Sequence, residues 1–144
     1  MLGVIIAIIS GALMSIQGVF NTGVTKQTSI WVAASFVQLT ALIVCVAAWF
    51  VTGKEGSFGA VLKVDHKYML LGGAMGAFIT YTVVKSMDSL GPAKAIMLIV
   101  TSQLIIAYGV ELFGIFGVER VKFEWRKLIG LAFIIGGIIT FKWE

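Results

Sequence analysis

Five runs of this chain carry too few charges to face water: Leu2 to Phe20, Ile30 to Val51, Tyr68 to Met87, Pro92 to Phe116 and Trp125 to Trp143. Each approaches the roughly 20 apolar residues that a helix needs to cross a hydrocarbon core about 30 Å thick. A segment inside that core must pair its own N–H and C=O groups, so each run is predicted to be an α-helix. Composition points the same way, because 59% of the 144 residues are hydrophobic and 12% are charged, too little polar surface to coat a soluble globule. The predicted fold class is all-α: an integral membrane bundle of five transmembrane helices, at approximately 2–21, 30–51, 68–87, 92–116 and 125–143, in a single transmembrane domain over 1–144. The lipid bilayer is therefore the first partner.

The fifth run is the shortest once its charges are set aside. Its uncharged part, Leu128 to Phe141, spans only with Trp125 and Trp143 as interfacial anchors and with Lys127 and Lys142 snorkelling; a re-entrant or tilted segment is the alternative. The opening run has no basic stretch before it and continues its helical period into polar residues, so it reads as part of the mature protein and not as a cleaved signal. In the connections, Thr28 or Ser29 is placed to cap the second helix. The apolar centre of "TGKEGSFGAVLKVDHK" suits a short interfacial turn. Gly91 and Pro92 form a tight hairpin that would make the third and fourth helices antiparallel neighbours.

The net charge of +4 is spread over every connection, which excludes a nucleic-acid footprint. With five crossings, Lys54, Lys63, Lys67, Arg120, Lys122, Arg126 and Lys127 flank one membrane face, and Lys26, Lys85, Lys94 and Lys142 the other. The positive-inside rule places the amino terminus in the cytoplasm, with insertion in both orientations left open by the small difference. A single cysteine, Cys45, excludes an intrachain disulfide and reads as a small hydrophobe, and His66 reads as a solvated loop residue. No catalytic triad, paired carboxylates or metal-ligand spacing occurs, and "GGAMG" follows no strand. No enzyme, cofactor or metal is expected.

Polar residues inside the runs carry the functional question. Ser10, Met14, Gln17 and Asn21 share one helical face, Ser35 and Gln38 another; "TYT" around Tyr81 and "TSQ" from Thr101 to Gln103 lie in the third and fourth runs. At about 1.5 Å per residue, Gln17, Gln38, Tyr81 and Gln103 all fall between the midplane and the less basic face. Gln17, Asn21, Ser35, Gln38, Tyr81, Thr101 and Gln103 are therefore the candidate solute-binding residues; the rival reading is that these groups only tie helices together. Charges in a span usually mark a pathway or an interface. Lys85 has Asp88 within reach of its own helix, and Glu111 shares a stripe with Lys94, Thr101 and Tyr108. About 25 Å of helix separates Glu111 from Lys94, so they could meet only between two oppositely directed copies. Lys85, Lys94, Tyr108 and Glu111 are accordingly candidates for coupling or for an interface. Gly72, Gly76 and Thr80, with Gly73 and Ala77, give the third helix a face for close packing, and Gly3, Ala7 and Gly11 do so for the first.

The segments "GALMSIQGVFNTGV", "SFVQLTALIV", "LLGGAMGAFITYTVV", "IVTSQLIIAYGVELFGIFGV" and "RKLIGLAFIIGGIIT" resemble, in order and spacing, the YdcZ-like five-helix proteins of the bacterial inner membrane, within the drug/metabolite transporter superfamily. The resemblance implies half of a ten-helix inverted-repeat transporter that pairs, as an antiparallel homodimer or as a heterodimer with a homologous chain, to move an unknown small solute. It maps the family's helix-one amides onto Gln17 and Asn21, its helix-four glutamine onto Gln103 and its late helix-four acid onto Glu111. The related four-helix multidrug exporters carry a titratable glutamate in helix one; Gln17 cannot titrate, so any such role here falls to Glu111. The alternatives are a non-transporting accessory or assembly subunit and, in third place, a passive channel.

Overall fold

A computed structural model describes residues 1–142, and every regular element in them is helical. The elements are α1 (Leu2–Gln27), α2 (Ile30–Val51), a single turn α3 (Phe58–Val61), a 3₁₀ turn (Lys67–Leu71) leading into α4 (Gly72–Leu90), α5 (Pro92–Phe113) and α6 (Trp125–Lys142). Four segments, Leu2–Gln27, Ile30–Val51, Lys67–Leu90 and Pro92–Phe113, are long and apolar enough to cross a membrane. The fifth run also forms a helix, α6, but its 18 residues include Arg126, Lys127 and Lys142. Trp143, the expected far anchor, lies outside the described residues.

The chain divides into two units, Met1–Asp88 and Ser89–Glu144. In the first, α1 continues beyond Asn21 to Gln27, because the polar residues there bond backward along the helix: Thr22 Oγ1 donates to the Gly18 carbonyl at 2.8 Å and Thr28 Oγ1 to that of Val24 at 2.8 Å. Ser29 then caps α2, its hydroxyl accepting the Val32 N–H at 3.3 Å. Below α2, Trp49 packs edge-on against Phe50 and Phe58 and donates its indole N–H to the Glu55 carbonyl at 3.0 Å, folding α3 back along the helix. Between them lies an open apolar groove of about 510 Å³ that includes Leu42, Cys45, Trp49 and Phe58.

α4 meets both neighbours within this unit. Gly18 of α1 is buried under Met87 and Val83, and a Cβ there would come within 2.7 Å of the Met87 sulfur. Gly76 faces Gln38 of α2, whose Nε2 would lie 3.1 Å from an added Cβ. The Trp31 and Tyr81 rings stack with centroids 4.9 Å apart. Of the glycines in the expected small-residue faces, only Gly76 meets a neighbour: Gly3, Gly11, Gly72 and Gly73 would have nothing within 4 Å of a Cβ, and the tightest contact is at Gly18 instead. Packing is concentrated where α1 and α4 end and α2 begins, at Gly18, Asn21, Ala33, Ala34, Val84 and Met87, whereas Met1 to Met14 are exposed throughout.

In the second unit, Gly91 takes a left-handed φ of 81° and Pro92 opens α5. α5 ends at Phe113, short of Phe116, because Gly114 adopts the left-handed conformation (φ 63°) and its N–H closes on the Val110 carbonyl at 2.9 Å. The following loop is stitched back onto the helix end: the Val121 N–H donates to the Glu111 carbonyl at 3.0 Å and Arg120 Nε to that of Leu112 at 3.1 Å. A side chain at Gly114 would also strike Arg120, whose Cβ lies 3.0 Å from the added atom. This return sets the first turn of α6 beside the last turns of α5.

Candidate functional site

Hydroxyls and amides in the long helices are treated differently. Most hydroxyls are spent on their own helix: Thr80 donates to the Gly76 carbonyl at 3.0 Å, Ser86 to Val83 at 2.9 Å and Thr101 to Met97 at 2.8 Å. The side-chain amides of Gln17, Asn21, Gln38 and Gln103 make no hydrogen bond among the described residues. Asn21 is only 8% exposed. On the same face of α1, Thr25 Oγ1 is fully buried and also lacks a partner among the described residues. Gln17, one turn before Asn21, is exposed, as are Ser35 and Gln103; Gln38 and Tyr81 are half-buried and Thr101 is buried. The first unit thus joins Gln38 to the backbone of α4 at Gly76, and Tyr81 to Trp31 of α2.

Asp88 does not pair with Lys85 on its own helix. Its carboxylate lies 3.6 Å from the Lys26 ammonium at the end of α1, because the ends of α1 and α4 are neighbours, and Lys85 is exposed. Both members of the pair are well solvated, so it contributes at most about 1 kcal/mol.

The second unit holds a different polar arrangement. With α5 ending at Phe113 and not at Phe116, Glu111 stands in the last turn of the helix. A carboxylate there meets the negative end of the helix dipole, an unfavourable placement by about 0.3–1 kcal/mol. Its counter-charge comes from within the chain: Lys127 Nζ is 3.7 Å from Glu111 Oε2 and 5.0 Å from the centre of the Tyr108 ring. The Tyr108 hydroxyl accepts the Glu124 N–H at 3.2 Å, which fixes the ring against the start of α6. These groups border a cavity of about 330 Å³ between α5 and α6, closed otherwise by Leu104, Ala107, Gly130, Leu131 and Ile134. Lys94, half-buried near the start of α5, has no ion-pair partner among the described residues. Nor do those residues include a group of three or more His, Cys, Asp or Glu side chains able to hold a metal ion.

The model of the family described as "Putative inner membrane exporter, YdcZ" matches residues 2–140. The chain belongs to the YdcZ family. No curated protein and no solved structure matches it. Family membership and four helices of spanning length and composition make it a multi-pass inner membrane protein.

Three partnerships that serve the polar groups of this YdcZ-family chain are not marked by spacing in its sequence: Lys26 with Asp88, Trp31 with Tyr81 and Lys127 with Glu111. Lys26 and Trp31 look like ordinary interfacial residues, and nothing in their spacing points to Asp88 or Tyr81. Lys127 had a signal. Glu111 in an apolar helix needs a counter-charge, and the next run opens on "WRK" after a loop containing two glycines.

Proposed function

We propose that this YdcZ-family chain is one half of a secondary transporter that moves a small solute across the inner membrane by alternating access between two inverted subunits. The observation that carries this reading is the set of amides without protein partners, above all Asn21, a buried residue whose amide makes no hydrogen bond among the described residues and keeps the remaining surface open. A polar group left unpaired in hydrocarbon costs several kcal/mol, so such amides are retained where water, a solute or a second chain completes them. Gln17, Asn21, Ser35, Gln38, Tyr81, Thr101 and Gln103 line the solute path. Glu111, Tyr108, Lys85 and Lys94 serve coupling or the subunit interface.

In this reading α6 is the fifth span, its 18 residues rising about 27 Å. Five crossings then place the termini on opposite faces, with the amino terminus in the cytoplasm. A second copy in the opposite orientation, or a homologous chain, supplies the other five helices and brings the site to the midplane between inverted halves. The open positions beside Gly3 and Gly11 leave α1 free for close approach by another helix.

The test is the double variant Gln17→Leu with Gln103→Leu, assayed for dimer content by crosslinking and for solute flux in proteoliposomes. The expected result is an intact dimer without flux. Loss of the dimer instead would make the amides packing ties and the protein an accessory subunit.

A further inference from the structure

We propose that Glu111 and Tyr108 form a binding site for an organic cation with an apolar body, and that Lys127 occupies this site as a tethered substitute while no solute is bound. The inference deepens the transport reading and rests on it for its physiological meaning. Its geometry is that of cation recognition: an ammonium held at once 3.7 Å from a carboxylate oxygen and 5.0 Å from the centre of an aromatic ring. Other lysine contacts in the protein have one half of this arrangement each. Lys26 has the Asp88 carboxylate, and Lys54 has the Phe50 ring at 5.0 Å. Among the described residues, only Lys127 is recorded with both a carboxylate and a ring.

Both charges stand at the wrong ends of their helices. Glu111 is in the last turn of α5, where a carboxylate opposes the helix dipole, and Lys127 is in the first turn of α6, where an ammonium does. Neither helix gains from the charge it carries, so the pair is a local conflict that each partner relieves only for the other. Conflicts of this kind are expected where function requires them. An incoming cation would satisfy Glu111 as well as Lys127 does, and release Lys127 into a solvated position at the membrane surface, since its side chain is already 39% exposed.

The cavity fixes the rest of the ligand. Its walls beyond the charged pair are Leu104, Ala107, Leu131 and Ile134, and its volume of about 330 Å³ suits an apolar group the size of a substituted ring. A small hydrophilic amine would leave these walls uncovered, and an anion would face Glu111. In the orientation proposed above, the site opens on the cytoplasmic side, from which an exporter loads.

A site occupied by its own lysine binds external ligand with an affinity reduced by the fraction of time it is vacant. The experiment uses the full chain in detergent micelles with benzyltrimethylammonium as probe and neopentylbenzene as its neutral isostere. Acetylation of each lysine is read by peptide mass spectrometry, and binding by titration calorimetry. The cation is expected to raise the acetylation rate of Lys127 and leave that of Lys26 unchanged, with no effect from the isostere. Lys127→Met should tighten cation binding by about tenfold if the site is nine-tenths self-occupied, and Glu111→Gln or Tyr108→Leu should remove it. Unchanged labelling of Lys127 at saturating probe, or undiminished binding by Glu111→Gln, overturns the proposal. If Lys127→Met does not fold, the labelling of the wild-type chain decides alone. Flux that persists without cation binding overturns this site only; cation binding in a chain that transports nothing overturns the transport reading and leaves the site.

Discussion

The two halves of α1 reverse the rule that governs soluble helices. From Leu2 to Met14 the helix is apolar apart from Ser10 and is exposed along its whole length. From Ser15 to Gln27 it carries Gln17, Asn21, Thr22 and Thr25, yet this is the half that packs, with Gly18 and Asn21 buried. Water would drive the opposite arrangement, since apolar area is what it expels. In lipid the apolar half is already at home, and close approach of backbones together with polar ties decides where helices touch. The difference teaches that along α1 burial follows a small residue, Gly18, and a hydrogen-bonding one, Asn21, and not the apolar run.

That contrast can be broken from either side. A charge in the exposed half should have the largest effect: Ile9→Asp is expected to cost about 2.5–3.5 kcal/mol of insertion, measured as the membrane-integrated fraction against Ile9→Leu. Equal insertion of the two would mean that this half lines water. In the packed half, Gly18→Leu forces Met87 and Val83 away from α1 and should lower stability by about 1–3 kcal/mol, read from thermal unfolding in detergent. Met87→Ala in the same chain should return part of the loss, because the clash is with that side chain. The smallest effect is expected at the end of the packed half, where Asp88→Asn removes the contact to Lys26 and should cost less than about 1 kcal/mol. The cost should shrink further as salt is raised, and a larger, salt-independent loss would mean that the pair is shielded from solvent.

The helical class and the positions of the long helices could be read from apolar run length alone, because a spanning segment must satisfy its own backbone. Ser29 was legible as a cap because the reason for it lies within three residues of chain. The ends of helices were less so. α1 runs on to Gln27 because hydroxyls that look like loop formers bond to carbonyls one turn back, and α5 stops at Phe113 because Gly114, the first of two loop glycines with a left-handed φ, closes the helix end. Pairings between helices were not legible: Asp88 had a lysine at a suitable spacing on its own helix, Lys85, and found Lys26 instead. The same holds for Glu111, whose partner Lys127 is delivered by bonds to the end of α5 from the Val121 N–H and the Arg120 side chain that no periodicity encodes. The amides stood out in the sequence because a membrane helix carries such groups at a cost, and their side chains make no hydrogen bond among the described residues.

The backward bonds of the helix hydroxyls set the hydrogen-bonding character of the surfaces on which they sit. Thr22, Thr80, Ser86 and Thr101 have each given away their single proton to a carbonyl of their own helix, so that what they turn outward is lone-pair density. An acceptor-rich neighbour would gain nothing from these hydroxyls and would have to turn to the unbonded amides of Gln17, Asn21, Gln38 and Gln103, which still carry N–H groups to donate.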